Sequence, residues 1–309
     1  MSDVAVSLRG LSRRYGETVA VDDLTFDVEA GRLFGLVGPD GAGKTTAMRM
    51  LAGILRPTAG DAVVHGVSVR DDPEGVKPHI AYMSQRFGLY TDLSVRENIE
   101  FYADLYQVPK DVRPKRLERL YAFSNLGPFE QRMAGQLSGG MKQKLSLCCA
   151  LIHHPPIMLL DEPTFGVDPI SRRDLWLIVH QMVAAGVTVI VTTAYLDEAE
   201  RCDRVALLHH GRVIALDAPN ALQSRIEGRV LSVTSERPRE VRNCLREQGG
   251  VRATLFGQSV HVVLADAAQD WPRAARFLDD AGIPYQPPQQ VPPSLEDAFM
   301  HLVEEPRDE

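Results

Sequence analysis

A basic excess, long apolar runs and paired cysteines are all missing from this sequence of 309 residues, and each absence narrows what it can do. Lys and Arg number 34 against 41 Asp and Glu, a formal charge of -7, where a nucleic-acid partner calls for a basic face. No stretch approaches the roughly 18 consecutive apolar residues of a membrane span. The polar, acidic start also lacks the basic end and apolar centre of a secretory signal. A cytosolic chain is expected, and any membrane role then needs a partner. The four cysteines, Cys148, Cys149, Cys202 and Cys244, show no Cys-x-x-Cys spacing. They are read as reduced, buried side chains, with redox sensing as the alternative.

What is present is the composition of a globular protein, 44% hydrophobic and 24% charged, in a chain long enough for a large and a small domain. Residues 4–8, 24–28 and 33–37 read as short strands, with a turn at 13–17. The pattern then predicts a helix over 44–55, with Ala47, Met50, Leu51 and Ile54 on one apolar stripe. Strands are expected at 62–65 and 80–84. Helices follow at 94–106, where Ser94 and Glu97 form a capping box, at 111–124 and at 138–153. The wholly apolar segment 157–160 suits a parallel sheet covered on both faces. A helix at 169–185, a strand at 187–191, a short helix at 195–201 and a hairpin of 205–208 with 213–216 complete an α/β pattern.

Beyond residue 226 the order changes to strand 230–234, helix 238–248, strands 252–255 and 260–264, and helix 271–281. That is the order of a small α+β domain of ferredoxin-like kind. The proline-rich stretch 284–293 reads as extended. Ser294 and Asp297 cap a last helix over 295–303, where Phe299 and Leu302 are available to dock.

Three short segments carry chemistry. In Gly38-Pro39-Asp40-Gly41-Ala42-Gly43-Lys44-Thr45, glycines let the backbone wrap a polyphosphate with its N–H groups pointing inward at a helix start. Lys44 supplies charge for the β and γ phosphates, and the Thr45 hydroxyl, followed by Thr46, serves magnesium. Asp161 and Glu162 leave the end of an apolar strand, where ligands sit in α/β sheets. The first suits magnesium, through water, and the second suits accepting a proton from an attacking water.

Between these two halves stands Leu137-Ser138-Gly139-Gly140-Met141-Lys142-Gln143. This order and spacing resemble the ATP-binding cassette (ABC) ATPases. The resemblance implies an α/β fold, a P-loop NTPase core of the ABC type over residues 1–225, with an all-helical subdomain at about 86–155 and an α+β accessory domain at 226–309. It implies ATP and Mg2+ as ligands and roles for particular residues. Gln85 matches the glutamine loop, which helps position magnesium and water. Ser138, Gly139 and Gly140 match the signature that contacts the γ-phosphate held by an opposing subunit. Phe165-Gly166-Val167-Asp168 matches the dimer-contacting loop. Tyr15 falls where an aromatic stacks on adenine, or is a surface aromatic at a strand end.

Two positions depart from the family pattern. Asp40 replaces a frequent asparagine, and its carboxylate is expected to face away from the phosphates, which it would repel. Ala194 stands where most relatives carry a histidine that contacts the γ-phosphate. None of His153, His154, His209 and His210 is an obvious substitute. Hydrolysis is then either carried by Glu162 without that donor, or slow, with a partner site doing most of the turnover.

Glu162 to Pro169 and Pro293 to Phe299 look like the ATPases of ABC-2 type exporters, the group of daunorubicin-type drug pumps. That likeness implies a second ATPase subunit, identical or different, integral-membrane permease subunits, and a place on the cytoplasmic face of the membrane. The groove near Gln85, with Phe87, Leu89 and Tyr90, is either the seat of a membrane-subunit helix or core. The alternatives are a regulatory subunit impaired in hydrolysis and a soluble ABC protein acting on ribosomes or DNA. A single cassette and the lack of a heptad run disfavour the last, and no nucleic-acid partner is expected.

Overall fold

A computed structural model describes residues 3–85 and 88–304. It opens on β1 (Val4–Tyr15) and β2 (Thr18–Glu29), an antiparallel pair of 12-residue strands. Both outrun the short strands expected, and only Gly16 and Glu17 turn between them. Register shifts along the pair explain the difference. A bulge breaks the alternation that marks a strand in sequence while the ladder continues past it.

The fully buried β3 (Leu33–Val37) feeds the loop before α1 (Lys44–Leu51). This helix stops at Leu51 rather than at residue 55. Ala52 caps it, Gly53 takes φ +66°, and Ile54, expected on the apolar stripe, is 60% exposed. A left-handed glycine just past the last turn ends a helix and turns the chain off its buried face. β4 (Ala59–Val64) returns beside β1, and β5 (Val67–Ser68) and α2 (Pro73–Val76) are additions with no strong sequence signal. The first sheet has the order β2-β1-β4-β5.

After β6 (Ile80–Met83) the chain turns helical with α3 (Val95–Leu105), α4 (Arg113–Ser124) and α5 (Gly139–Leu151). The Ser94 and Glu97 capping box is present in full. β7 (Ile157–Asp161), α6 (Pro169–Ala184), β8 (Thr188–Thr193), α7 (Leu196–Ala199), β9 (Arg204–His209) and β10 (Arg212–Asp217) follow. The second sheet has the order β10-β9-β3-β8-β7-β6 and is parallel from β9 to β6. Register pairs Val37 with Thr193 and Asp161 with Thr192, so the carboxyl ends of β3, β8 and β7 lie side by side. Such strand ends form the ligand crevice of open α/β sheets.

The chain divides into two compact units between Ile214 and Ala215, ahead of the boundary expected near residue 225. The helix α8 (Pro219–Gln223) accounts for the shift, because it packs against the C-terminal helix. The second unit contains β11 (Arg229–Thr234), α9 (Pro238–Glu247), β12 (Arg252–Phe256), β13 (Ser259–Leu264), α10 (Ala267–Asp280), β14 (Gln289–Val291) and α11 (Leu295–Glu304). Its antiparallel sheet runs β12-β13-β11-β14, the ferredoxin-like order. The fourth strand comes from the proline-rich stretch. Val241, Leu245, Ala274 and Leu278 of the helices bury against Val233, Val260 and Val262 of the sheet.

Asp297 anchors the start of α11. It accepts hydrogen bonds from the Ser294 N–H at 2.9 Å and the Ser294 hydroxyl at 2.6 Å, and lies 3.1 Å from His261 Nδ1 on β13. Burial pushes its carboxyl up, but the bonds from His261 and Ser294 outweigh burial and hold it below its ordinary 3.8. A depressed carboxyl stabilises above its unfolded value and stops doing so as pH falls through the folded one. Asp297→Asn is therefore expected to lower stability by about 1–3 kcal/mol at neutral pH. The deficit relative to wild type should shrink below about pH 4. Denaturant unfolding between pH 3 and 7 checks both.

Candidate nucleotide site

The phosphate loop is built so that only glycine fits its last turn. Gly43 takes φ +102°, and a Cβ there would lie 2.4 Å from the carbonyl oxygen of Ala20. Lys44 follows at the start of α1, 4% exposed, with Nζ donating to the carbonyls of Gly38 at 2.7 Å and Pro39 at 3.1 Å. The same ammonium pairs with Glu162 Oε1 at 3.2 Å. A buried cation at the start of a helix, behind a glycine-rich loop, is a receptor for a polyanion.

Both acids at the end of β7 are tied to neighbouring elements. Asp161 Oδ1 accepts from the Thr45 hydroxyl at 3.1 Å and the Thr192 hydroxyl at 2.7 Å, and Oδ2 accepts from the Tyr82 phenol at 3.1 Å. Burial, then the Asp161 charge, pushes the Tyr82 phenol up to about 12, so it stays a donor at neutral pH. Glu162 adopts φ +49°, a left-handed conformation that costs a side-chain-bearing residue about 1–3 kcal/mol. Its N–H donates to Thr192 Oγ1 at 2.9 Å, and its Oε2 accepts from Gln85 Nε2 at 3.1 Å. Lys44, Thr45, Gln85, Asp161 and Glu162, distant in sequence, thus form one cluster of direct contacts.

Tyr82 and Thr192 also belong to that cluster, without a sequence motif to mark them. Both stand on strands read for their apolar pattern, where a polar residue gives no local sign of its partner. Among the described residues no three His, Cys, Asp or Glu side chains converge on a metal position. Asp161 with the Thr45 hydroxyl is a short oxygen set, and magnesium is typically held by such a set together with phosphate oxygens and water.

The remaining predicted residues lie as follows. Tyr15 ends β1, 46% exposed, with the Arg13 guanidinium 4.7 Å from its ring centre. Thr46 sits in the first turn of α1. Ser138 caps α5, accepting from the Met141 N–H at 3.3 Å, and Gly139 has open space about it. Gly140 packs against the neighbouring helix. It is buried, and a Cβ there would meet Ser171 of α6 at 2.2 Å, so close helix packing demands this glycine. Tyr90 packs edge-on against Phe101 at 4.6 Å and is 44% exposed. Phe87, placed in the same groove, lies outside the described residues.

The ABC transporter family model matches residues 21–165. The daunorubicin resistance ATP-binding protein DrrA2 of Streptomyces coeruleorubidus is 36% identical over 98% of this chain and 96% of its own length. The chain belongs to the ABC transporter ATP-binding family. The probable multidrug ABC transporter ATP-binding protein YbhF of Escherichia coli K12 is 42% identical over 98% of this chain. The chain spans about half, 53%, of that relative's length. A dimeric structure of a post-hydrolysis state of the cassette MJ0796, bound to ADP and Pi, is 25% identical with a TM-score of 0.62. It covers 69% of this chain and 98% of its own.

In this cassette the end of β8 carries Ala194. With Asp40, Glu162, Thr164, Thr193 and Tyr195 it lines a cavity of about 170 Å3. Asp40, expected to face away from the phosphates, borders that cavity. No histidine lines it. His153 instead stacks on Tyr106 at 4.0 Å and meets the Ile80 carbonyl at 3.1 Å, while His209 and His210 pack on each other at 4.1 Å.

The contacts rank the supporting residues of the cassette. Thr192→Val removes the shortest of the three hydroxyl donors to the buried Asp161 and leaves the Glu162 N–H without a partner, and is expected to cost about 1–3 kcal/mol. Tyr82→Phe removes one donor and should cost about 0.5–1.5 kcal/mol. Unfolding of the nucleotide-free protein checks the order, and a larger loss in Tyr82→Phe would contradict it.

Proposed function

We propose that this chain binds and hydrolyses ATP as one of two identical subunits, and that closure of the pair on ATP drives export through separate membrane subunits. The observation that carries the proposal is Glu162, held beside Lys44 and Gln85 at the end of β7. Lys44 and the loop amides receive the β and γ phosphates. Glu162 accepts the proton of the attacking water, and Gln85 orients that water and the carboxylate. Asp161 and the Thr45 hydroxyl would hold magnesium, which would supply charge neutralisation at the phosphates when bound. Ser138 and Gly139 of the second copy supply donors on the far side of the γ-phosphate.

The export role draws support from the names of the relatives, one a multidrug transporter protein and one a drug-resistance protein. Among the described residues no helix is long and apolar enough to cross a membrane, and in this reading separate membrane subunits form the transport path. The chain works at the cytoplasmic face, docked on them. The exposed Phe165 and Ile170, at 56% and 72%, suit burial against the second copy.

Ala194 favours a second reading, a subunit that binds ATP but hydrolyses it weakly. Both readings answer to steady-state ATPase measurements. Glu162→Gln is expected to slow hydrolysis by roughly 10²–10⁴-fold, the usual contribution of a general base. Ala194→His, restoring a donor to the γ-phosphate, should raise the rate by at least about tenfold. An unchanged rate in Glu162→Gln removes the proposed base. A wild type without measurable turnover that Ala194→His rescues favours the second reading.

A further inference from the structure

We propose that Glu198 is a positioning residue for catalysis, acting through Thr164 to hold the turn that presents Glu162. The inference rests on the reading of Glu162 as the base. Glu198 sits on α7 with its side chain 1% exposed. Its Oε2 accepts from the Thr164 hydroxyl at 2.8 Å and the Thr193 hydroxyl at 2.9 Å. Its Oε1 lies 3.3 Å from Arg172 Nε of α6, an ion pair without hydrogen-bond alignment. Arg172 in turn covers the ring of Tyr195 at 4.6 Å, and Thr193 Oγ1 accepts from the Tyr195 N–H at 3.0 Å.

One carboxylate therefore joins the turn after β7, the end of β8 and the first turns of α6. A buried carboxylate left short of partners is costly, so neither hydroxyl swings away freely. Thr164 is itself buried and stands two residues beyond Glu162. The left-handed backbone of Glu162 persists only if both ends of its turn are held. Thr192 holds the near end through the Glu162 N–H, and Glu198 holds the far end through Thr164. The same tie fixes Thr193 and Tyr195 on either side of Ala194. With no histidine there to meet the phosphate, the placement of Glu162 carries more of the chemistry.

The test uses the full chain and reads kcat and KM for ATP separately. Thr164→Val and Glu198→Gln should each lower kcat by about 10- to 100-fold, with KM within about twofold of wild type. The double variant should be no slower than the slower single, because both break one tie. Thr164→Ser keeps the donor and should recover most of kcat. A residue that only stabilised the fold would not divide kcat from KM, and serine would not rescue it through the hydroxyl. Wild-type kcat in Thr164→Val, losses that multiply in the double variant, or a serine variant as slow as valine would overturn the proposal. Glu162→Gln is measured alongside. If it too turns over at the wild-type rate, the base reading fails and the positioning role falls with it. If it is slow while Thr164→Val is not, only the positioning role fails.

Discussion

A phosphate loop grips a polyanion from one side, and the rest of this cassette follows from that constraint. Lys44, two loop carbonyls and Glu162 form a closed set of contacts at the base of the loop. The terminal phosphate would face outward, toward the cavity lined by Glu162, Thr193 and Ala194. Here the chain offers a methyl group, so a donor to the far side of the phosphate has to come from elsewhere. The exposed cap of α5, with Ser138 and the open Gly139, has the chemistry to provide it.

The one-sided grip also explains why the acids are braced so heavily. Asp161 is 1% exposed and accepts three hydroxyl donors from three elements. Glu162 stands in a strained backbone conformation with its N–H, both carboxylate oxygens and the following turn all engaged. A carboxylate that must act on one water gains from being held before the water arrives, since orientation fixed in advance is not lost at the transition state. Thr192 serves both acids at once, accepting from the backbone of Glu162 and donating to the side chain of Asp161.

Much of this was legible in the sequence, and the limits have physical causes. Residues whose role depends on local order, the glycine loop, the acids ending an apolar strand and the capping box of Ser94, stand out because neighbours in sequence are neighbours in space. Tyr82, Thr192, Thr193 and Glu198 do not, because each is defined by a partner on another strand or helix. The close approach of Gly140 to Ser171 is hidden for the same reason, since it joins α5 to α6. The strand β14 hid in a proline-rich stretch, where pairing to β11 outweighs a weak strand propensity. Register shifts in β1 and β2 and the left-handed Gly53 moved element ends that periodicity alone misjudged.

The proposed catalytic site is shared between two copies, one giving Lys44 and Glu162 and the other Ser138. The sharing is tested most directly by mixing two variants that each fail alone. Lys44→Ala loses the phosphate grip, and Ser138→Arg blocks the donor offered to the neighbour, so each homodimer is inactive. In a mixed pair, one site combines an intact Lys44 with an intact Ser138. The mixture is expected to hydrolyse ATP well above the sum of its components. No recovery at any mixing ratio, with both variants folded, would contradict it.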